Sequence, residues 1–554
     1  MNLYNLGLTG LNAAQARLTT TGHNITNADT DGYNRQSVLV STAGGTGTTA
    51  GFFGRGVMVD SVRRSYDGFL YRQMVSAQSD GASMVAYGRQ ISQLNNLLAD
   101  RTVGISPAMD NFFNGMHAVA SNPADPAGRQ ELLGQAANLV TQINEANRFL
   151  NDQRNDINNQ IATTVNQINS YVERINELNT QISAAKASTT SQPPNDLYDQ
   201  RDQLITEMNQ LIRVNVTEQG DSFNLSVGNG QVLLSGKQAF PLRAVSSSID
   251  PSRTVVAFTA PTGNPGQTME VELADSVLQG GRLGGLLQYR RESLDAVQND
   301  LGRMAIGLAK AFNDQHLMGV DLNGDPGGEF FSYVEPTAMG DAGNLGTGGI
   351  SATFVDTNRL TTSDYRIDFD GSSYTITRVP ENTQVYIGDG SDLGGTPPTL
   401  IDGLQINLSG TPVAGDSWML QPTRNGARDL ALAISDPAKV AAADAAGGSA
   451  NGNNALELAA LQTAKILGRG TMNVKESFSQ LVDHVGVQTQ QNATSSKAQA
   501  NLIQQTSAAQ QALSGVNLNE EEINLQRYTE QFVAASRLID VGSQLFDTIL
   551  GLKA

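Results

Sequence analysis

A chain of 554 residues is too long for one hydrophobic core, because single cores rarely grow past about 250 to 300 residues; three or four units are expected. Its formal net charge of −18, with no local run of Lys or Arg, excludes binding through phosphate backbones, so no nucleic-acid partner is expected. The absence of Cys excludes disulfides, thiolate metal sites and a cysteine nucleophile. No apolar run reaches the roughly 20 residues of a membrane helix, and the N-terminus lacks a secretory signal pattern, so neither membrane insertion nor a signal peptide is expected.

The first 25 residues predict a helix with a narrow coiled-coil seam. Large side chains recur every seven residues, at Tyr4, Leu11, Leu18 and Ile25. Small residues fill the intervening positions, at Gly7, Ala14 and Thr21. A stripe this narrow favours pairing with one partner helix rather than burial in a core.

The stretch NITNADTDGYNRQ after this helix predicts either an ordinary helix-ending loop or a joint at which the chain changes direction. Gly32 follows Asp31 and suits a left-handed cap or turn. Asn24 and Asn27 can satisfy helix-end carbonyls or turn amides through their side chains. Tyr33 and Arg35 are then expected to lie between this helix and the next layer of the protein.

Long helical segments alternate with β signals in the middle of the chain. Helices are predicted for residues 66–98, 132–143, 143–182, 195–212, 284–315 and 474–513, and most of them should form a rod-like bundle. Hairpins are predicted around Gly228-Asn229-Gly230 and Asp370-Gly371, with a further turn at Gly410-Thr411. The predicted β signals are confined to the middle of the sequence.

The C-terminal segment repeats the pattern of the first helix. Leu525, Phe532, Ile539 and Phe546 recur every seven residues, and Tyr528, Ala535, Gly542 and Ile549 fill the intervening positions. Asn519 is the expected N-cap of this helix. The two chain ends are expected to pair, and their stripes should close fully only against neighbouring subunits. A monomeric helical hairpin is the plain alternative. The sharper prediction is that the chain ends are disordered and fold only on assembly.

These patterns predict an α+β multidomain protein, an elongated helical rod with terminal coiled-coil helices from both chain ends and inserted β-rich domains. The predicted units are a terminal helix and turn (1–36), the first part of the rod (37–213), a β-rich domain (214–275), a helical return segment (276–320), a β-rich insertion (321–425), the second part of the rod (426–513) and a C-terminal assembly helix (514–554).

Candidate chemistry is sparse. Asp321, Asn323 and Asp325 resemble the start of a calcium loop, but the later positions lack the required Gly and Glu, so a β-turn is favoured and ion binding stays open. The segment Gly280–Gly285 favours a domain-joining hinge over a phosphate loop. The four histidines lack metal-ligand spacing and are expected at surfaces or interfaces. Asp199, Arg201 and Asp202 favour a salt-bridged helix face. No metal, cofactor or catalytic site is predicted.

Both terminal motifs resemble bacterial flagellar axial proteins. The two motifs are NLGLTGLNAAQARLTTTGHNITNADTDGYNRQ from Asn5 and SGVNLNEEEINLQRYTEQFVAASRLIDVGSQLFDTIL from Ser514. Internal segments, GGRLGGLLQYR from Gly280 and GDSWMLQPTRNGARDLALAISDPAKVAAA from Gly415, resemble the flagellar hook-associated protein 1 family. The resemblance covers nearly the whole chain.

The resemblance implies a structural, non-enzymatic protein of the extracellular flagellum. Its expected partners are further copies in a ring, hook protein, a second junction protein and filament proteins, a cytoplasmic chaperone on the last helix, and the type III export apparatus. Two alternatives remain: a filament or hook subunit of the same group, and a secreted hydrolase on a helical stalk. The expected assembly interface consists of Leu11, Leu18, Ile25, Leu525, Phe532, Ile539, Phe546 and Ile549.

Overall fold

A computed structural model describes residues 3–49, 51–98, 104–188, 192–220, 222–261 and 268–551. The first helix, α1 (Leu3–Thr26), leads into a long hairpin that we call the arm. The arm consists of β1 (Gln36–Thr42), β2 (Gly45–Thr48), β3 (Gly51–Gly54) and β4 (Val57–Arg64). β1 pairs antiparallel with β4 at its base, and β2 pairs with β3 at its tip. The arm corrects the expectations that β structure is confined to the middle of the chain and that 37–213 is helical.

The rod is built on one very long helix. The first four helices of the rod are α2 (Gly68–Leu98), α3 (Ile105–Ser121), α4 (Pro126–Ser188) and α5 (Asn195–Leu211), and α4 is the long one. The 63 residues of α4 span roughly 95 Å. They join two segments that the sequence pattern treats separately. Buried Ile and Leu side chains recur along α4 every three to four residues, which is why this helix holds the rod core together.

A first β unit packs beside α4. It contains β5 (Val214–Gln219), β6 (Ser222–Val227), β7 (Gln231–Ser235) and β8 (Gln238–Ala239) in one sheet, and β9 (Leu242–Ser246), β10 (Thr254–Pro261) and β11 (Thr268–Leu273) in another. The predicted hairpin at Gly228-Asn229-Gly230 is confirmed, since β6 and β7 pair across it. Asn169 and Asn179 of α4 hydrogen-bond to the backbone of this unit, which holds it against the rod.

The chain then returns to the rod through α6 (Gly281–Tyr289), a π-helical turn (Arg290–Leu294) and α7 (Asp295–His316). The Gly280–Gly285 segment is not shaped as a hinge. A Cβ on Gly281 would lie 2.3 Å from the Leu211 carbonyl carbon, and one on Gly285 would lie 2.2 Å from the Ser83 carbonyl oxygen. These glycines therefore allow α6 to pack directly on the backbones of its neighbours.

A second β unit is inserted after α7. Its strands are β12 (Phe331–Ser332), β13 (Met339–Gly340), β14 (Gly349–Phe354), β15 (Asp364–Phe369), β16 (Tyr374–Val379), β17 (Thr383–Gly388), β18 (Leu400–Ile401), β19 (Leu404–Ser409), β20 (Ser417–Leu420) and β21 (Ala431–Leu432). A five-stranded sheet has the order β13-β20-β15-β16-β17, and a three-stranded sheet has the order β14-β19-β18. β15 and β16 pair across the predicted Asp370-Gly371 turn. Gly410-Thr411 instead connects strands of two different sheets.

The chain enters and leaves this unit at one point. Phe331 pairs with Leu432, and Ser332 pairs with Ala431, so β12 and β21 form a neck. Beyond the neck, a separate core surrounds Trp418, Ile367 and Ile376. Two short 3₁₀ turns, Thr357–Arg359 and Pro437–Lys439, and the four-residue helix α8 (Gly426–Asp429) complete the region.

The last helices are α9 (Asn453–Ala460), α10 (Val474–Ser514) and α11 (Leu518–Gly551). α10 packs along α2, and α11 packs along α1. The side chain of Asn517, not Asn519, accepts from the first free amides of α11, those of Asn519 and Glu520. The predicted α+β multidomain class, with terminal helices and inserted β units, is confirmed.

Candidate functional site: the terminal helix pair and its joint

Asn24 is the centre of the joint between α1 and the rest of the molecule. It is only 1% exposed. Its amide nitrogen donates to the Gln36 carbonyl at 2.9 Å and to Glu521 Oε2 at 3.2 Å. Its amide oxygen accepts from the Gln36 backbone N–H at 2.9 Å and from the Tyr33 hydroxyl at 2.8 Å. One side chain thereby ties the end of α1 to the start of the arm and to the start of α11.

Arg35 makes the second connection to α11. Its guanidinium donates to Glu521 at 2.8 Å and to Glu520 at 2.8 Å, and its backbone N–H donates to the Ser514 carbonyl at 2.8 Å. The Glu521 side chain is 2% exposed, so this pair is largely withdrawn from water. Glu520 and Glu521 lie in the first turn of α11, where the helix dipole also favours negative charge.

The turn itself is held by glycine and by contacts with α5. Gly32 has φ of +78°, and a Cβ at this position would lie 2.9 Å from Gln203 Oε1. The Tyr33 ring meets His23 edge-on at 5.5 Å between ring centroids. Burial raises the pKa of the Tyr33 hydroxyl, which therefore remains a donor. Asn27 donates to the His23 carbonyl at 3.0 Å and so satisfies one exposed group at the end of α1.

Two buried carboxylates of α5 complete the joint. Asp199 accepts from the backbone N–H of Asn34 at 2.9 Å and from its side chain at 2.6 Å. Arg64 of β4 donates to Asp199 at 2.8 Å and to Asp202 at 2.7 Å. Burial raises the pKa of both carboxyl groups, and the hydrogen bonds from Asn34 and Arg64 oppose that rise. α5 thus binds the loop and the arm together.

The sequence did not locate this half of the joint. The interpretation of Asp199, Arg201 and Asp202 as a salt-bridged helix face is wrong, because their side chains are buried and their partners lie on other elements. Arg201 packs over the Phe223 ring at 3.3 Å and donates to Asn179. Two carboxylates three residues apart on one helix were the available signal, but sequence spacing cannot identify an ion-pair partner 135 residues away.

α1 and α11 touch through their small residues. A Cβ on Gly7 would lie 2.7 Å from Ile539 Cγ1, and a Cβ on Gly542 would lie 2.7 Å from the Tyr4 backbone nitrogen. Ala14 and Ala535 are buried along the same line. The backbones can approach this closely only because these side chains are small. The seam therefore runs along the positions between the large heptad residues.

The large heptad residues lie beside this seam and remain accessible. Leu11, Leu18, Ile25, Phe532 and Ile539 are half-buried. Leu525 is 39% exposed, Phe546 is 53% exposed and Ile549 is 63% exposed. In an isolated chain these side chains would leave an extended apolar surface in water, of the kind that marks interaction sites.

A buried charge cluster connects the rod to the second β unit. Asp295 of α7 accepts from Arg154 of α4 at 2.8 Å and pairs with Arg253 at 3.1 Å and Arg424 at 3.3 Å. Arg424 also pairs with Asp364 of β15 at 2.6 Å. Burial alone would raise the pKa of Asp295, but the surrounding arginines hold it far below its usual range.

The Asp321 loop and His316, which the sequence analysis also considered as candidate sites, are both held by hydrogen bonds within the fold. Asp321 Oδ1 accepts from the backbone amides of Asn323 and Asp325, and Lys439 lies 3.3 Å from Asp321, so the loop is an Asx turn with a lysine on its carboxylates. His316 is buried, which corrects its expected surface position. Its Nε2 accepts from the Ala441 backbone N–H and its Nδ1 faces the Gly328 carbonyl, so the ring is neutral; burial lowers its pKa.

Within the described ranges, no cluster of three or more His, Asp or Glu side chains could hold a metal ion. No described helix is long and apolar enough to cross a membrane.

Three family models match the chain. Residues 91–331 match the helical domain of flagellar hook-associated protein FlgK, and residues 339–422 match the D2-like domain of flagellar hook-associated protein 1. Residues 5–34, which span α1 and most of the joint, match the flagella basal body rod protein model. The chain is thus a flagellar protein with paired terminal helices, a helical rod and inserted β units.

Full-length relatives define the family more closely. Flagellar hook-associated protein 1 of Escherichia coli K12 is 36% identical over 555 residues, covering 100% of both chains. The protein of the same name from Bacillus subtilis is 24% identical and covers 98% of this chain and 96% of its own. The solved flagellar hook junction protein FlgK from Burkholderia pseudomallei has a TM-score of 0.73 and 29% identity, covering 80% of this chain and 100% of its own. The chain belongs to the flagellar hook-associated protein 1 (FlgK) family.

Proposed function

We propose that this protein is a non-enzymatic adaptor that joins the hook of the bacterial flagellum to its filament. One observation carries the proposal: the terminal helix pair closes on small residues and leaves its large heptad side chains, Phe546 and Ile549 among them, exposed. Membership of the hook-associated family supports the location. In this proposal the exposed surface is covered by neighbouring copies in a short ring, with α1 and α11 as its inner layer.

The joint supports this role mechanically. A subunit in a tube must hold its inner helices at a fixed angle to its outer domains, since variation in that angle would be repeated in every copy. Asn24, Arg35 and Asp199 connect α1, α11, the arm and α5 through buried hydrogen bonds. Such a network fixes direction as well as contact.

The proposed partners follow from this location outside the cell. They are hook protein on one side, and a second junction protein with filament proteins on the other. Before assembly, the exposed apolar side chains of α11 would have to be shielded from water. We propose that a cytoplasmic chaperone binds them and that the type III apparatus then exports the chain.

Immunogold labelling of intact cells tests the location. An antibody against residues 339–422 should label one band between hook and filament. Label along the filament or along the hook would overturn the adaptor role in favour of a subunit role. In a strain that lacks the gene, hooks should persist without filaments, and the full-length gene should restore them.

A further inference from the structure

The arm tip, residues 45–49 and 51–54, presents aromatic side chains to solvent. Phe52 is 86% exposed and Phe53 is 54% exposed. Phe52 pairs across the hairpin with Gly47, and a Cβ on Gly45 or Gly47 would lie 3.5 Å from the Phe52 side chain. Phe52 therefore lies on the face of the tip that carries Gly45 and Gly47, where no side chain covers its ring. Phe53 projects from the opposite face of the two-stranded tip, because successive side chains alternate.

The tip also differs in charge from the rest of the chain. Residues 43–56 contain Arg55 and no carboxylate, whereas the whole chain carries −18. Arg55 is anchored to the tip by a 3.0 Å hydrogen bond from its Nε to Thr46 Oγ1. A matching partner surface would be apolar and would carry excess negative charge.

The base of the tip is fixed to the terminal helix pair. Gly56 has φ of +97°, and a Cβ there would lie 2.2 Å from Thr9 Oγ1 of α1. Val57 donates its backbone N–H to the same oxygen at 3.4 Å. The tip therefore starts at α1, beside the helices proposed to face neighbouring copies.

α11 offers a surface of the required chemistry. Leu538, Val541 and Leu545 follow the i, i+3, i+7 spacing of one helix face and are 41%, 47% and 49% exposed. This face, which we call the side stripe, is separate from the Ala535 and Gly542 line that contacts α1. Over its whole length, Leu518–Gly551, α11 carries six carboxylates and two arginines.

We propose that the arm tip of one copy packs on the side stripe of the next copy, with Phe52 against the apolar side chains and Arg55 towards the acidic helix. Both surfaces are exposed within a single chain, so the tip does not cover the stripe of its own molecule. The two surfaces differ, so the contact is heterologous and closes into a ring or continues as a helix. This inference rests on the proposed self-assembly and assigns it a specific contact.

The absence of native Cys allows a direct crosslinking test. Two full-length chains with different tags, one Phe52→Cys and the other Val541→Cys, are expressed together in the deletion strain, and isolated flagella are oxidised. A disulfide-linked dimer that carries both tags is expected. Replacing Phe52→Cys by Leu345→Cys, at an equally exposed site in the second β unit, should abolish that dimer.

Other results overturn the contact and separate it from the adaptor role. If the immunogold band stays between hook and filament while no mixed dimer forms, the contact is wrong and the adaptor role stands. The same holds if Phe52→Cys links only to itself or to another flagellar protein. Absence of the immunogold band in cells that express the unmodified chain would count against the adaptor role. As a second readout, Phe52→Ser should reduce filament attachment, whereas Leu345→Ser should not.

Discussion

Each polar end of the Asn24 side chain has two partners, which makes this residue a sensitive point of the joint. Replacing it with Ala leaves the Gln36 backbone N–H and carbonyl without side-chain partners in a buried place. The cost should be about 2 kcal/mol.

We expect Asn24→Ala to lower the opening free energy of the joint by this amount, so that amides at the end of α1 exchange hydrogen about 30-fold faster. Native-state hydrogen exchange measures this. Asn12→Ala, at an exposed position of the same helix, should leave exchange unchanged. Equal exchange in both variants would show that the Asn24 network contributes nothing to local stability.

Gly32 and Gly22 provide a pair of glycine substitutions with opposite expected signs. At Gly32 the backbone is left-handed and Gln203 lies within 3.0 Å of a new Cβ, so Ala should destabilise the joint by about 1 to 2 kcal/mol. At Gly22, inside α1, a Cβ meets nothing within 4 Å, so Ala should stabilise the helix by about 0.5 to 1 kcal/mol. Hydrogen exchange of α1 should slow in one variant and quicken in the other. If hydrogen exchange changed in the same direction in both variants, the assignment of backbone strain to Gly32 would be contradicted.

At the scale of elements, the terminal helices were well predicted and their contact was predicted less well. Seven-residue spacing placed both helices, and the small residues of that repeat form the closest contacts. The spacing could not show that these small residues bring the backbones together, because an apolar repeat does not specify the distance between helices. The arm was missed because four glycines in its two tip strands weaken the strand signal there, although the base strands β1 and β4 carry the valines that are typical of strands.

Acidic substitutions on α11 test whether its exposed apolar surface drives assembly. Phe532→Asp with Phe546→Asp should abolish incorporation into flagella, because a carboxylate would have to be buried between copies. The second β unit lies elsewhere in the fold and should keep its structure, which the fluorescence of its buried Trp418 reports. Leu456→Asp, at a 56% exposed position of α9, is the control and should still assemble. Normal incorporation of the double variant would remove the helix pair as the assembly surface.

At the scale of the whole molecule, the Asp295 cluster joins α4, α7 and the second β unit. Sequence patterns predict separate helical and β-rich units but not this connection, since its charged residues are separated by as many as 270 positions and none lies in a recognisable motif. Asp295→Asn should leave Arg154 without a counterion in a buried site and cost about 3 kcal/mol. Asp314→Asn, in an exposed pair with Lys310, should cost at most about 0.5 kcal/mol.

The pH dependence of the Asp295 contribution has a definite sign. A carboxyl group whose folded pKa is depressed stabilises the protein above its unfolded pKa of about 3.9, and loses that contribution as pH falls towards the folded value. The difference in unfolding free energy between the native chain and Asp295→Asn should therefore be constant from about pH 5 to 8 and shrink only below about pH 4. Denaturant titrations at several pH values measure it. A difference that changes near neutral pH would contradict the depressed pKa.

The pairing of α1 with α11 also sets an order of events during synthesis. The ribosome completes α1 first and its partner helix last, with almost the entire chain between them. Rod segments whose partners are close in sequence can form earlier, whereas the terminal pair must close a loop of nearly full chain length. A chain that stops before α11 therefore lacks the terminal helix pair, even where its rod segments have already formed.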